Sequence, residues 1–449
     1  MVDFNLIDSL GHFARAGGGG SGGGDGGSGI ELIALIGYVP SHFWGKFVRK
    51  KISSNSVIGL AITMVPVLLI YLTLAIVAFN WITLLILIGA LIGGPAGLYG
   101  WFGKVSSRLK KKAKQQITQA AANDPAWDEA TLTERVRQVF MQYQNDWSNF
   151  NYQNVYTYST QSYAYHAQLM MYAIKLRQRR NLVQSPEIKE MFVTNVVDLP
   201  DNNADSVTFY ISAKANDQII ENVNGQENLL FSDNSEFGEY WNFVRVNDVW
   251  MLDKIEQLTD NVYSHSESIQ AFASRNNFKY SPDWGWLLLP SRGQLFGSGR
   301  FGTSDINNHV IGVYNNLLIE LYTYNPNPGD GKNLNYVIAQ VALPKRYESI
   351  IVEAKSGFKL FNKKPKGYNK ISLEWPDFNK RYNVYATNVE QVTAFELLHP
   401  AYMEKLFALP FKVSIEVVDN VVYLYSTDKN ADYDTMYAIL QEAFKQMRM

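Results

Sequence analysis

Histidines, carboxylates near them and a glycine-rich spacing are the residues of this chain whose types suit chemistry. The six histidines, His12, His42, His166, His265, His309 and His399, fall singly, and no pair takes the HExxH spacing of a zinc hydrolase. His166 lies in a helical stretch between Tyr165 and Leu169, where a hydrogen-bonded polar group of a core or pocket is expected rather than a base. Asp305 and His309 stand four apart, but the surrounding sequence suggests a hydrogen-bonded loop. Gly297, Gly299 and Gly302 match GxGxxG; the TSDINNH that follows lacks a helical apolar pattern, so a turn-rich loop is expected instead of a dinucleotide site. His399 precedes Pro400, which should end a helix and leave the imidazole as a capping or surface group. The chain has no cysteine, which removes thiolate zinc sites, iron–sulfur clusters, disulfides and cysteine nucleophiles together. No Walker A loop and no GxSxG elbow occurs. No catalytic residue, metal ligand or cofactor is therefore expected.

The elements around these residues divide by composition. The 449 residues carry a net charge of -1, which hides a segregation. Residues 1–126 hold eleven Lys and Arg against five Asp and Glu, and the remainder thirty against thirty-seven. An acidic body lacks the basic face that displaces counterions from phosphates, which argues against nucleic acid as a partner.

Residues 1–29 end in GGGGSGGGDGGSG, a stretch with nothing to bury and maximal entropy to lose, and read as disordered. Residues 30–52 are apolar up to Pro40 and then aromatic and basic, as in an interfacial helix; a short third membrane segment is the alternative. Residues 53–103 contain no Asp, Glu, Lys or Arg, and as one unbroken helix would be about twice the hydrocarbon thickness. Two passes, 57–79 and 81–101, fit as a transmembrane hairpin, with Trp81, Tyr99 and Trp101 near the interfaces; a buried soluble hairpin is the competing reading. Basic residues flank both ends. By the positive-inside rule the flanks and the body are cytoplasmic, which makes the chain a multi-pass protein of the inner membrane. Lys104, Arg108, Lys110, Lys111, Lys112 and Lys114, on the linker helix 104–122, are candidates for contact with anionic lipid, at roughly 1 kcal/mol each near the surface. A plain topology signal would need the same charges.

Residues 123–258 change character. Thr131 and Glu134 have capping-box spacing and should open a helix whose Val136, Val139, Phe140, Tyr143 and Trp147 share a face. A second helix is expected over 163–178. The period then changes, giving strands at 187–199, 206–216, 237–246 and 249–256, the last two joined tightly at Asn247-Asp248. Residues 266–449, with alternating runs at 337–343 and 413–425 and a closing helix from Tyr433, form a second domain. The fold class expected throughout is α+β.

The order DPAWDEATLTERVRQVFMQYQNDW, SYAYHAQLM, EFGEYWNFVRVNDVWMLDKIEQ resembles the Tim forty-four-like domain family, which includes the membrane-apposed domain of the motor anchor of mitochondrial protein import and bacterial relatives. The resemblance implies a cone-shaped fold like nuclear transport factor two, with a curved sheet and helices around an apolar pocket. The hairpin anchor and the C-terminal extension depart from that pattern, so a role in protein import does not transfer. The extension, with NHVIGVYNNLLIELYTY, RYNVYATN and ELLHPAYMEKL, resembles a bacterial family known only as a domain of unknown function.

A non-enzymatic, membrane-anchored scaffold is the function expected, one whose cone domain binds lipid, a peptide or a protein at the cytoplasmic face. The expected partners are the bilayer, its anionic lipids, and another membrane or exported protein. The alternative is an enzyme acting on a small substrate in the cone pocket with His166. Phe140, Tyr143, Trp147, Tyr165, His166, Met170, Tyr240, Trp241, Phe243 and Trp250 are the candidate lining, with simple core filling the competing use of the same rings.

Overall fold

A computed structural model describes residues 110–223, 225–257, 267–285, 287–288, 290, 293, 295–296, 305–325, 335–343, 347–355, 365–387, 397–418 and 420–446. The glycine-rich segment, the interfacial segment, the hairpin at 53–103, His12, His42, His265 and the GxGxxG at 297–302 lie outside the described residues. Among the described residues no helix is long and apolar enough to cross a membrane.

The first domain opens with a helix over residues 110–123 (α1), which buries Ala113, Ile117 and Ala120 and leaves the intervening positions to solvent. This three-to-four spacing is that of an amphipathic helix on a core. After a short turn at Pro125–Trp127, α2 runs over Glu129–Ser148. Its cap is Asp128, whose carboxylate accepts from the backbone N–H of Thr131 at 2.8 Å. The expected Thr131–Glu134 capping box is thus not the start: an acidic residue three positions earlier satisfies the same orphan N–H, and Thr131 sits in the first turn. A single turn, α3 (Tyr152–Val155), leads to α4 (Gln161–Leu176), capped by Thr160.

Five antiparallel strands follow. They are β1 (Arg179–Val197), β2 (Ser206–Val223), β3 (Gln226–Asp233), β4 (Glu236–Val246) and β5 (Val249–Gln257). The order is β1-β2-β4-β5, with β3 on the far half of β2. Asn247 and Asp248 both have positive φ, 48° and 62°, as the expected tight hairpin requires. β1 begins eight residues before its expected start, and β3 was not expected. Register shifts at 184/187, 188/190 and 193/195 break the strict alternation of β1 and bend it, which disguised the strand.

The second domain is a mixed α+β unit on one nine-stranded sheet in the order β11-β12-β10-β13-β14-β9-β8-β7-β6. In chain order its elements are α5 (Glu267–Arg275), β6 (Lys279–Gly285), β7 (Asp305–Tyr314), β8 (Leu317–Asn325), β9 (Tyr336–Ala342), β10 (Ile350–Ala354), β11 (Asn369–Ile371), α6 (Pro376–Arg381), β12 (Tyr382–Ala386), α7 (Pro400–Ala408), β13 (Ser414–Val418), β14 (Val421–Ser426) and α8 (Tyr433–Gln446). Helical backbone at Leu397 ends just before His399, as expected, and His399 then caps the start of α7, where Pro400 takes the first-turn position that tolerates it. The expected loop around Asp305 and His309 is strand β7. Its neighbour β8 is joined through Asn315-Asn316, both at positive φ.

The two faces of this second sheet have different covers. Val310, Ile319, Leu321, Ala339, Val341 and Leu424 pack with the domain's own helices. Ile306, Ile311, Tyr322, Tyr324, Ile338 and Tyr423 belong to one continuous core with the first domain.

Candidate functional site

The sheet of the first domain positions the expected lining residues by alternation. Cross-strand neighbours Phe209 and Trp241 face the helices, and the next pair, Tyr210 and Tyr240, faces away. Inside, Trp241 lies 5.2 Å from Phe140 and 5.6 Å from Tyr143, the latter edge-on at 89°, and Tyr143 lies 6.0 Å from Trp147. All four rings are at most 2% exposed. Met170 and Phe243 are buried in the same core.

The remaining candidates lie elsewhere. Tyr240 lies against Tyr210 on the outer face, at 5.6 Å and tilted by 57°, and Phe192 extends the row. Trp250 meets Trp127 edge-on at 4.7 Å and donates its indole N–H to the Ala126 carbonyl, holding the connection between α1 and α2. Tyr165 and His166 face the second domain: Lys279 sits 6.0 Å over the Tyr165 ring, and His166 Nε2 lies 3.2 Å from the Ser281 hydroxyl. The expectation of one pocket lined by ten residues is therefore corrected to an inner nest, an outer row, a strut and a seam. Consecutive strand residues point to opposite faces, and residues along a helix share a face only at three-to-four spacing.

The nest contains polar groups that were not expected. Glu239 is fully buried and accepts the Trp241 indole N–H at 2.9 Å. Tyr163 donates to the Tyr143 hydroxyl at 3.0 Å, and burial pushes both phenols above their ordinary range. Asp146 accepts from Tyr158 at 2.9 Å and from Asn154 at 2.8 Å. The Trp147 indole donates to Asn181 at 2.9 Å, and Asn181 donates in turn to Asp217. Nearer the second domain, Arg179 and Glu221 pair at 3.2 Å. Arg179 and Asn181 on β1, with Asp217 and Glu221 on β2, form a polar file between those two strands. The signal of these buried polar groups in the sequence is faint. Glu239 shares the alternation of Phe237, Trp241 and Phe243, which places an acid on a buried face.

The seam between the domains has its own polar knot. Arg177, at the end of α4, donates to both Glu320 oxygens at 3.0 and 3.1 Å, and to the carbonyls of Leu288 and Ala173. Glu320 also meets His309 Nε2 at 3.0 Å and accepts from Gln340 at 2.8 Å; Tyr322 donates to Gln340. Burial works against the Glu320 carboxylate, but Arg177 and then His309 outweigh it and hold the group at about 2. His309 is fully buried with Glu320 as a partner. The sequence signal for this knot is Glu320 itself, the one charge in LLIELYTY.

Of the basic residues expected at the membrane surface, Lys104 and Arg108 lie outside the described residues. Lys110 pairs with Glu190 and sits 3.7 Å over the Phe192 ring, while Lys111, Lys112 and Lys114 are exposed. At the other end of α1, Asp124 is gripped by Arg245, which also bonds Asp205 and, at 2.7 Å, Asp248. Among the described residues no group of three His, Asp or Glu could hold a metal ion.

Comparisons with known proteins reach part of the chain. Residues 337–441, within the second domain, match a family described as a protein of unknown function, DUF3137. No curated protein matches the chain. Among solved structures, the mycobacterial trehalose monomycolate transport factor A, TtfA, is similar at 11% identity and a TM-score of 0.30, over 40% of this chain and 89% of that one. An Ntf2-like protein involved in plasmid conjugation is similar at 9% identity and a TM-score of 0.15, over 44% of this chain and 83% of that one. Neither similarity carries an argument about this chain, and the family match at 337–441 is what these comparisons contribute.

Proposed function

We propose that this chain is a membrane-anchored, non-enzymatic scaffold whose first domain, of Tim forty-four-like type, is held at the cytoplasmic face of the inner membrane to bind lipid, a peptide or a partner protein. The observation that supports this reading is the attachment of α1. Its buried Ala113, Ile117 and Ala120 and the clamp of Asp124 by Arg245 make it part of the first domain's core, not a loose tether. Residues 104–109 separate α1 from the charge-free block and span at most about 20 Å when extended, so a body anchored through that block stays beside the bilayer. Lys111, Lys112 and Lys114 are free to meet anionic head groups, while Lys110 is engaged with the body.

The absence of cysteine makes the reading simple to test in cells. With single cysteines at Asp25 and Arg300, an impermeant maleimide should label neither site until the membrane is opened. Labelling of either from outside overturns the topology. Full-length protein reconstituted in nanodiscs of neutral or anionic lipid should hold α1 closer to the bilayer in the anionic discs, read by quenching of a label at Lys112→Cys, and lose the difference when Lys111 and Lys114 become Glu.

A second reading has one observation in its favour: the Tyr143–Tyr163 hydroxyl pair shares the nest with Glu239. These are titratable groups converging inside the cone domain, as an enzyme acting on a small substrate needs. His166 is not among them, since its imidazole reaches into the seam. Soaking with small carbonyl compounds and following proton exchange by NMR tests this reading; exchange that disappears in Tyr143→Phe would support it.

A further inference from the structure

Residues 147–186 contain no Asp or Glu, a run of forty positions in a chain that carries 42 acids. The run takes in α3, α4 and the start of β1. Along α4, Gln161, Tyr165, Gln168, Tyr172 and Leu176 recur at three-to-four spacing and form one stripe of exposed and half-exposed side chains. α3 lies beside it. The Tyr152 ring is 5.6 Å from that of Tyr172, with their hydroxyls 3.4 Å apart, and Tyr156 donates to Gln168 Oε1 at 2.8 Å. Tyr156, Tyr172 and Leu176 are 36%, 39% and 41% exposed, so the stripe offers apolar area to solvent. A lysine stands at each end. Lys279 of β6 donates to Ser162 at 2.7 Å and lies 6.0 Å over the Tyr165 ring, and Lys175 is exposed one turn before the helix stops. Ser162 and Lys175 are thirteen residues apart, about 20 Å along the helix. Asp253 on β5 accepts from Thr160 and acts on Lys279.

We propose that this tyrosine stripe is a docking surface for an acidic segment of a partner protein, an inference that rests on the scaffold reading above and names the surface it uses. Tyrosine is enriched at protein interfaces because it brings large contact area with few rotatable bonds. Here the rings are braced before any partner arrives, Tyr172 by Tyr152 and Tyr156 by Gln168, so little side-chain freedom is left to lose on binding. The charge pattern selects the partner. An acid-free surface with a lysine at each end attracts carboxylates, and two lysines are too few to hold a nucleic-acid backbone. A second copy of the stripe is a poor match, since a two-fold pairing would set lysines against a surface that carries no acid of its own. The bilayer is placed elsewhere by the tether. The described chain begins at Lys110, over Phe192 on the outer face of the first sheet, whereas α4 covers the inner face, where Tyr163 meets Tyr143. A body anchored through Lys110 therefore turns the stripe away from the lipid and toward soluble partners.

The test uses the full chain in nanodiscs of neutral lipid and a displayed library of random peptides of about 14 residues, enough to lie along the stripe as a helix. Enriched peptides should be rich in Asp and Glu. A synthetic copy of the most enriched one should bind about tenfold more weakly to Tyr172→Ala and to Lys175→Glu, and more weakly in salt that screens its charge. Both variants change exposed side chains, and their near-ultraviolet circular dichroism should match the parent's. A fluorophore at Gln161→Cys should stay bright in discs of brominated lipid. No enrichment, enrichment of basic or neutral peptides, or undiminished binding to either variant overturns the docking surface. Quenching at Gln161→Cys would put the stripe on the bilayer, and a dimer in sedimentation that Tyr172→Ala dissolves would make a second copy the occupant; each also overturns it. The scaffold's topology fails separately, by the maleimide labelling above, and that failure leaves peptide binding by the stripe unchanged.

Discussion

The two sheets solve the problem of a buried face in opposite ways. The first has one face under α2 and α4, and its outer face carries half-exposed rings, Phe192, Tyr210 and Tyr240, so β2 and β4 alternate between buried and partly exposed positions. The second is covered by its own helices on one face and, over β7, β8, β9 and β14, by the first domain on the other, and there β8 and β9 each run through four consecutive buried residues. The difference teaches that the second domain depends on the first. Separated, it would uncover Ile306, Ile311, Tyr322, Tyr324, Ile338 and Tyr423, a far larger apolar patch than a soluble monomer exposes. The first domain, if released, would uncover Arg177 and the end of its polar file.

Expressing residues 266–449 alone is the severest way to break this comparison. The expected outcome is aggregation or a molten state, read by size-exclusion chromatography and near-ultraviolet circular dichroism, while a fragment of residues 104–258 stays folded. A monomeric, cooperatively melting second domain would show that its outer face needs no cover. Next in size is Glu320→Ala, which strands a buried Arg177; it should cost about 3–5 kcal/mol in chemical denaturation. Trp241→Ala in the nest should cost a similar roughly 3–5 kcal/mol, since that ring touches Phe140 and Tyr143 and fills the core. A smaller loss would mean that it borders an open cavity.

Gly312→Ala sharpens the view of the second sheet's helix-covered face. A Cβ at Gly312 would lie 1.9 Å from the Phe278 ring, which is itself buried. Displacing the ring should cost about 1–3 kcal/mol, visible as a lower denaturation midpoint. On the outer face of the first sheet, Tyr240→Ala removes one half-exposed member of a cross-strand row and should cost about 0.2–1 kcal/mol.

Stability against unfolding should fall on acidification in two stages. Above pH 6.5, the ordinary value for histidine, His166 is neutral folded or unfolded and contributes nothing; as pH drops from there toward about 3, only the unfolded chain takes up its proton, so the folded state loses ground. Glu320, at about 2 when folded against its ordinary 4.5, gives its full stabilisation above 4.5 and loses it between those values. Melting temperatures of the parent and of His166→Gln, followed against pH, should diverge below 6.5. Parallel curves would remove His166 from the account.

Much of the first domain was legible because its sheet has one dry face. Period-two alternation in EFGEYWNFVRV marks β4, and Asn-Asp marks its hairpin. What hid β3 is that QENLLFSD is mostly exposed, with Leu229 in the open, so no alternation survives. The start of β1 was hidden by Arg179 and Asn181, polar residues that occupy inward positions because Glu221 and Asp217 satisfy them. The candidate site was legible as a set of large residues and illegible as a place. Tyr240 and Trp241 are adjacent in sequence and lie on opposite sides of a sheet. The His166 imidazole meets Ser281 of the other domain, and a contact at that separation leaves no periodic trace.

The grip of Arg245 on Asp124, Asp205 and Asp248 fixes how the molecule would carry mechanical load. If the chain is tethered at its N-terminal side and the body is pulled, tension arrives at Lys110 and travels down α1. Contacts along the helix, from Lys110–Glu190 through Ala113 to Ala120, release one after another as it peels, each at low force. At Asp124 the geometry changes from peeling to shear, because one guanidinium ties the load simultaneously to the end of α1, to the residue before β2 and to the β4–β5 turn. Force then spreads over strands held by many parallel hydrogen bonds. A pulling trace should therefore show a short compliant phase of about 14 residues at 1.5 Å rise each, followed by a stiff one, and Arg245→Ala should erase the boundary between them.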